Sequence, residues 1–194
     1  EGIIYGEKVA RNGLIALVIL TIVKTTAGFI TGSVVLLADA IGSGADIATL
    51  FGSYVGLKLS RRGAEGGFKY GYYKIETLIA FTISIFILYF GGGIFVESIE
   101  RFYKMPQVQY PLVGVGAVVV SIAFSLHYAR ELRQAAKKSN SISLLSNAKE
   151  KEGDILSSFI VLAGIVASFY RLPYVESIIG IGIALVIIKV GIES

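Results

Sequence analysis

An apolar stretch near residues 33–59 carries two acidic side chains on one helical face. Asp39 and Asp46 lie seven residues apart, with Gly42 and Ser43 between them. Positions seven apart face the same side of an α-helix because seven residues make almost two full turns. Ionisable groups within apolar helices are expensive and rarely present without a role, so this face is a candidate functional surface.

A later apolar stretch, near residues 142–169, carries a similar face. It presents Asn147, Glu150 and Asp154 at positions i, i+3 and i+7. If the two acidic faces meet, three or four carboxylates converge in a low-dielectric environment. Ionised carboxylates there must share protons or hold a cation, so the pattern predicts one of these two chemistries.

The alternative is that the acids form ion pairs with nearby lysines, namely Lys24, Lys149 and Lys151. For Asp39, close to a helix end, helix capping or contact with water is a further alternative. Asp46 and Asp154 are the strongest candidates for a functional role. They hold equivalent places in an internal repeat, and we expect neither to have a lysine or arginine at helical spacing within the apolar part of its helix.

The repeat is visible when the sequence is shifted by 108 residues against itself. The shift aligns residues 36–40 with 144–148, Asp46 with Asp154, and Phe51 with Phe159. The two aligned stretches are expected to cross the membrane in opposite directions. The sequence therefore predicts an inverted three-plus-three repeat, an arrangement that places binding sites near the bilayer midplane.

The composition indicates a membrane protein. Of the 194 residues, 54% are hydrophobic and 16% are charged, whereas soluble domains carry about 25% charged residues. Apolar stretches long enough to cross a bilayer as helices lie near residues 11–31, 33–59, 75–97, 110–129, 142–169 and 174–192. They do not alternate as the strands of a β-barrel do. We expect an all-α membrane protein of six transmembrane helices, with residues 1–194 forming a single transmembrane domain and no soluble domain.

Positive charges predict the orientation of these spans, because cytoplasmic loops retain lysine and arginine. The segments between spans two and three and between spans four and five are rich in both, whereas the segments after spans three and five hold only Arg101, Lys104 and Arg171. Both termini are therefore expected in the cytoplasm. Since topology explains the net charge of +4, we expect the lipid bilayer and no nucleic acid as a partner.

Two residue types that bind soft metals are scarce. The chain has no cysteine, and His127 is its one histidine. These counts exclude thiolate sites and exclude a zinc site of several imidazoles within one chain.

With these motifs the sequence resembles the cation diffusion facilitator family of divalent-metal transporters. The resemblance is carried by Thr31-Gly32-Ser33 followed by Leu36-Leu37-Ala38-Asp39-Ala40, by Asp46, by Tyr70-Gly71-Tyr72 with Lys74 and Glu76, and by Asp154-Ile155-Leu156-Ser157-Ser158. It implies efflux of a divalent cation by alternating access, exchanged for protons, from a site containing Asp46 and Asp154. It implies no enzyme and no resident cofactor, only a transported ion such as Mn²⁺, Fe²⁺ or Zn²⁺.

The departures from the family pattern modify this expectation. Gly42 stands where family members usually place a histidine or aspartate, and Glu150 stands where they usually place a histidine. The resemblance then leaves Asp46, Asp154 and Glu150 as metal ligands, with Asp39, Asn147 and Ser43 as candidate further oxygen donors. All-oxygen sites suit harder ions, so we hypothesise a preference for Mn²⁺ or Fe²⁺ over Zn²⁺.

Two alternative functions stay open. Gly42, Glu150 and Lys149 could mark a decayed site in a non-transporting relative that serves as a scaffold or regulatory subunit. Paired aspartates on two membrane helices could also form an intramembrane aspartyl protease. The resemblance further implies a homodimer formed through membrane helices, a multi-pass location in the cell membrane and, in this chain, no metal in the loop 68–74.

Overall fold

The computed structural model describes residues 2–60, 73–104, 107–139, 142–170 and 172–193. All the regular structure of these residues is helical, which confirms the expected all-α fold. The six helices are α1 (Gly2–Thr31), α2 (Val34–Ser60), α3 (Tyr73–Lys104), α4 (Pro111–Ser139), α5 (Ile142–Phe169) and α6 (Pro173–Glu193). The motif at 70–72 and most of the predicted metal-free loop 68–74 lie outside the described residues.

Five of the helices, namely α1, α3, α4, α5 and α6, contain segments long and apolar enough to cross a membrane. Within the described residues α2, which carries Asp39 and Asp46, is not among them. Large apolar side chains such as Phe29, Tyr89 and Leu112 lie exposed on the outside of the bundle, as expected for surfaces that contact lipid. The chain is a multi-pass membrane protein, and the count of six spans and the inverted repeat stay predictions.

Helix α2 lies among the other helices and contacts α1, α3, α5 and α6. Its first turns carry fully buried apolar side chains, including Val34, Val35 and Leu36, which belong to the main hydrophobic core. The acidic residues follow directly along this helix. Packing of the apolar start of α2 in the core therefore sets the positions of Asp39 and Asp46 relative to the other helices.

The turn between α1 and α2 is defined by residues of the predicted motif. Gly32 has a φ of +63°, a left-handed conformation that glycine adopts at low cost when it ends a helix. Ser33 then caps α2, since its Oγ accepts a hydrogen bond from the Leu36 amide at 3.3 Å. The Thr31-Gly32-Ser33 sequence therefore acts as a helix stop followed by a helix start.

At their carboxyl ends, two helices continue well past the apolar segments predicted from the sequence. Helix α3 runs beyond residue 97 to Lys104, and α4 runs beyond residue 129 to Ser139. The end of α3 carries two i, i+4 ion pairs, Glu97–Arg101 at 2.8 Å and Glu100–Lys104 at 2.7 Å. Such pairs support helical structure in polar sequence, where hydropathy alone gives no signal.

Candidate cation site on helices α2 and α5

Helices α2 and α5 bring Asp46 and Asp154 to the same lysine side chain. The Lys151 ammonium donates a hydrogen bond to Asp154 Oδ2 and lies 3.7 Å from Asp46 Oδ2. The Lys151 side chain is 9% exposed, while those of Asp46 and Asp154 are 31% and 39% exposed. The two carboxylates therefore converge, and a positive charge already lies between them.

The position of Lys151 corrects one expectation from the sequence. Asp154 has a lysine at helical spacing, because Lys151 precedes it by three residues, and that lysine reaches Asp46 as well. The signal was present in the sequence: Asn147, Lys151 and Asp154 occur at i, i+4 and i+7 and share a face. Lys149, another of the three lysines considered as ion-pair partners, is exposed.

A second lysine forms a separate group with the start of α2. The Lys24 ammonium of α1 lies 2.8 Å from Asp39 Oδ2 and donates a hydrogen bond to Ser43 Oγ at 3.3 Å. Within the described chain Asp39 Oδ2 accepts no hydrogen bond of good geometry, so its partner is the Lys24 charge. The ion-pair alternative considered for the acids therefore describes Asp39 as well as Asp46 and Asp154. Both Asp39 and Ser43 contact Lys24 of α1.

The remaining predicted donors lie on α5. Glu150 is exposed and Asn147 is half-buried, and neither has a described hydrogen bond or ion pair to Asp46 or Asp154. Across the described ranges there is no group of three or more His, Cys, Asp or Glu side chains that could hold a metal ion. The structure thus brings together two carboxylates of the predicted set.

Open space adjoins Asp46. A Cβ atom built on Gly42, one turn before Asp46 on the same helical face, would meet nothing within 4 Å. Two carboxylates beside open space can bind a cation that keeps several water ligands, as Mg²⁺ and similar hard ions do. Direct binding by both carboxylates would require the Lys151 ammonium to leave its position.

A buried carboxylate that sequence reasoning missed lies in the first turn of α6. Glu176 is 3% exposed, and its two oxygens accept hydrogen bonds from Ser33 Oγ at 2.6 Å and Ser168 Oγ at 3.1 Å. These bonds join the start of α2 and the end of α5 to α6. The signal was an acid in the first turn of an otherwise apolar span, which is costly unless hydrogen-bonded.

The chain matches a known protein family over most of its length. A family model described as the cation efflux transmembrane domain matches residues 12–194. The chain belongs to the cation efflux family. This confirms the resemblance to cation diffusion facilitators drawn from the motifs of α2 and α5.

The cation efflux family is a family of membrane cation transporters, not of enzymes. The expectation that the chain is not an enzyme is therefore confirmed, and the intramembrane aspartyl protease is set aside.

Curated relatives extend the comparison. The chain is 27% identical to the magnetosome protein MamB of Paramagnetospirillum magneticum over 96% of this chain and 63% of MamB. It is 24% identical to the manganese efflux system protein MneS of Bacillus subtilis, over 95% of this chain and 63% of MneS. It is 26% identical to the cation-efflux pump FieF of Salmonella typhi, over 95% of this chain and 62% of FieF. The chain therefore spans less than two thirds of the length of these relatives.

Proposed function

We propose that the chain acts as the transmembrane part of a divalent-cation efflux transporter. The observation that supports this most directly is the convergence of Asp46 from α2 and Asp154 from α5 at one point, within a chain that matches the cation efflux transmembrane domain. Asp46 and Asp154 are the proposed direct ligands. Glu150, one turn before Asp154, is the proposed third ligand and reaches the ion after a rearrangement of its exposed side chain.

The proposed transport cycle exchanges the metal ion for protons. Carboxylate oxygens bind either protons or a cation, so protons and the metal ion compete for the same atoms. Alternating access of the site to the two sides of the membrane then lets a proton gradient drive metal efflux. An inverted repeat that places the site near the midplane would provide this geometry.

The proposed preference is for Mn²⁺ or Fe²⁺ over Zn²⁺. Zinc favours nitrogen and sulfur ligands, whereas carboxylates favour harder ions. The chain has no cysteine, and its one histidine, His127 on α4, is 71% exposed beside Glu131. The relative MneS is a manganese efflux system protein by name, which supports the proposal for this chain.

The test is metal uptake into proteoliposomes that carry a proton gradient. We expect Asp46→Asn and Asp154→Asn each to reduce Mn²⁺ uptake to the level of empty vesicles, because each removes one of two convergent ligands. Glu152→Gln is the matched control, since Glu152 is a half-exposed acid on α5 that pairs with Arg133 at 3.4 Å. Mn²⁺ uptake by an Asp46→Asn, Asp154→Asn double variant at the unmodified rate would refute the assignment.

A second candidate function is a non-transporting family member that acts as a scaffold or regulatory subunit. The observation that favours it is the Lys151 ammonium between the two carboxylates, which neutralises part of the charge that attracts a metal. Metal-stimulated proton flux in vesicles distinguishes the two candidates. A folded, membrane-inserted chain that gives no flux with Mn²⁺, Fe²⁺ or Zn²⁺ would favour the scaffold.

We further propose that residues 1–194 form one transmembrane domain with both termini in the cytoplasm, and that two copies associate through α3. Small residues let membrane helices approach closely, and Cβ positions at Gly92 and Gly93 face open space. Because the chain has no cysteine, Gly93→Cys provides a single crosslinking site. A disulfide-linked dimer is expected with it and not with Gly116→Cys on α4, and crosslinking at equal rates would exclude α3 as the specific interface.

A further inference from the structure

We propose that Lys151 is a tethered competitor of the transported ion. In this proposal its ammonium holds the place between Asp46 and Asp154 until a divalent cation displaces it. The inference rests on the proposed function and deepens it, because it identifies a residue that sets the affinity of the site without binding the metal.

The Lys151 ammonium lies where a directly bound metal ion would lie. The Lys151 ammonium donates to Asp154 Oδ2 and lies 3.7 Å from Asp46 Oδ2. A hard cation bound directly by both carboxylates lies about 2.0–2.6 Å from their oxygens, within the space that this ammonium takes. Two cations at that separation repel each other. The metal and the ammonium therefore exclude each other.

Lys151 also balances part of the negative charge of the two aspartates. Asp46 and Asp154 carry two negative charges, and Lys151 offsets one of them in a position where its side chain is 9% exposed. Two partly exposed carboxylates close together repel each other, and a cation that contacts both offsets part of that repulsion. Lys151 therefore stabilises the site when no metal is bound, and a divalent cation takes over that role when it enters.

For a metal ion to bind, the Lys151 ammonium must have room to withdraw from between the two carboxylates. Lysine carries its charge on a flexible four-carbon chain. A Cβ built on Gly42, which shares a helical face with Asp46, would meet nothing within 4 Å, so open space adjoins the site there. Withdrawal of Lys151 into that space would expose both carboxylates. Its return would help to release the metal after the site opens to the other side.

The proposal predicts that neutralising Lys151 strengthens metal binding. A tenfold change in affinity corresponds to about 1.4 kcal/mol, and a hydrogen bond to a charged group is worth about that much. We therefore expect Lys151→Met to bind Mn²⁺ at least about tenfold more tightly than the unmodified chain in calorimetric titrations of the purified protein in nanodiscs. Lys149→Met is the matched control, because Lys149 is an exposed lysine two residues away, and its affinity should match that of the unmodified chain.

Further variants distinguish the possible failures. Lys151→Gln removes the charge but keeps a hydrogen-bond donor, so it provides the same test if the methionine variant does not fold. Asp46→Asn, added to Lys151→Met, should abolish the gain in affinity. Mn²⁺ binding that depends on Asp46 but is not tightened by either Lys151 substitution would overturn the competitor role alone. Tight binding that does not depend on Asp46 would instead overturn the proposed metal site.

Discussion

The ion pair between Lys24 and Asp39 gives the sharpest test of how charges are held inside this bundle. The two charged atoms lie 2.8 Å apart, and their side chains are 8% and 11% exposed. Removing one partner of a buried pair leaves the other charge uncompensated, which costs about 3–5 kcal/mol. We therefore expect Lys24→Met to destabilise the folded chain by about 3–5 kcal/mol, or roughly a hundredfold or more in the folded-to-unfolded ratio.

The matched control is Lys104→Met. The Lys104–Glu100 pair has almost the same separation, 2.7 Å, but its side chains are 72% and 57% exposed. Water screens and solvates both charges there, so we expect no resolvable loss of stability. Comparing the two variants separates the effect of burial from the effect of distance.

The assay is unfolding in mixed micelles, with helix content followed by circular dichroism as the fraction of SDS rises. A third variant, Lys24→Met with Asp39→Asn, removes both charges and should recover most of the lost stability, since no buried charge stays unpaired. Equal destabilisation by Lys24→Met and Lys104→Met would show that the Lys24–Asp39 pair is not held in a low-dielectric environment, and would refute this reasoning.

Two further predictions concern helix packing at Gly13 and the hydrogen bonds to the buried Glu176 carboxylate. Gly13→Ala should destabilise the chain by about 1–3 kcal/mol, because an added Cβ would overlap the ring of Tyr128 on α4. The control is Gly116→Ala, which should be neutral or slightly stabilising because its Cβ would meet nothing within 4 Å. The same unfolding assay compares the two variants. Ser33→Ala should cost about 1–3 kcal/mol, since it removes both the cap of α2 and a donor to the buried α6 carboxylate. Ser168→Ala removes only the longer bond to that carboxylate and should cost less; the reverse order of unfolding midpoints would contradict the assigned roles.

The helices could be predicted from the sequence because their signals are local. Long apolar stretches, the Thr31-Gly32-Ser33 stop and start, and the depletion of charge identify six helices and a membrane environment without any knowledge of packing. Helix ends in polar sequence were harder to predict. Helix α4 continues to Ser139, well past its apolar segment. Hydropathy does not predict this end, because it does not report the side-chain contacts that extend a helix.

Part of the candidate site was also readable in the sequence. Asp46 and Asp154 were identified by their equivalent places in the repeat, and the structure brings them together at Lys151. Helical spacing defines which side chains share a face, so Lys151 could have been placed on the face of Asp154. Spacing could not show that the same ammonium reaches Asp46 on another helix.

The helical fold, the membrane location and the acids on two apolar helices could all be predicted from the sequence, because these properties depend on neighbours a few residues away. The pairing of the charges depends on tertiary packing. Lys24 on α1 pairs with Asp39 on α2, while Lys151 on α5 pairs with Asp46. These pairings depend on the position of each helix along its axis and on its rotation relative to its neighbours. That register is fixed by the shapes of the buried side chains across the bundle, which act only once all the helices have assembled.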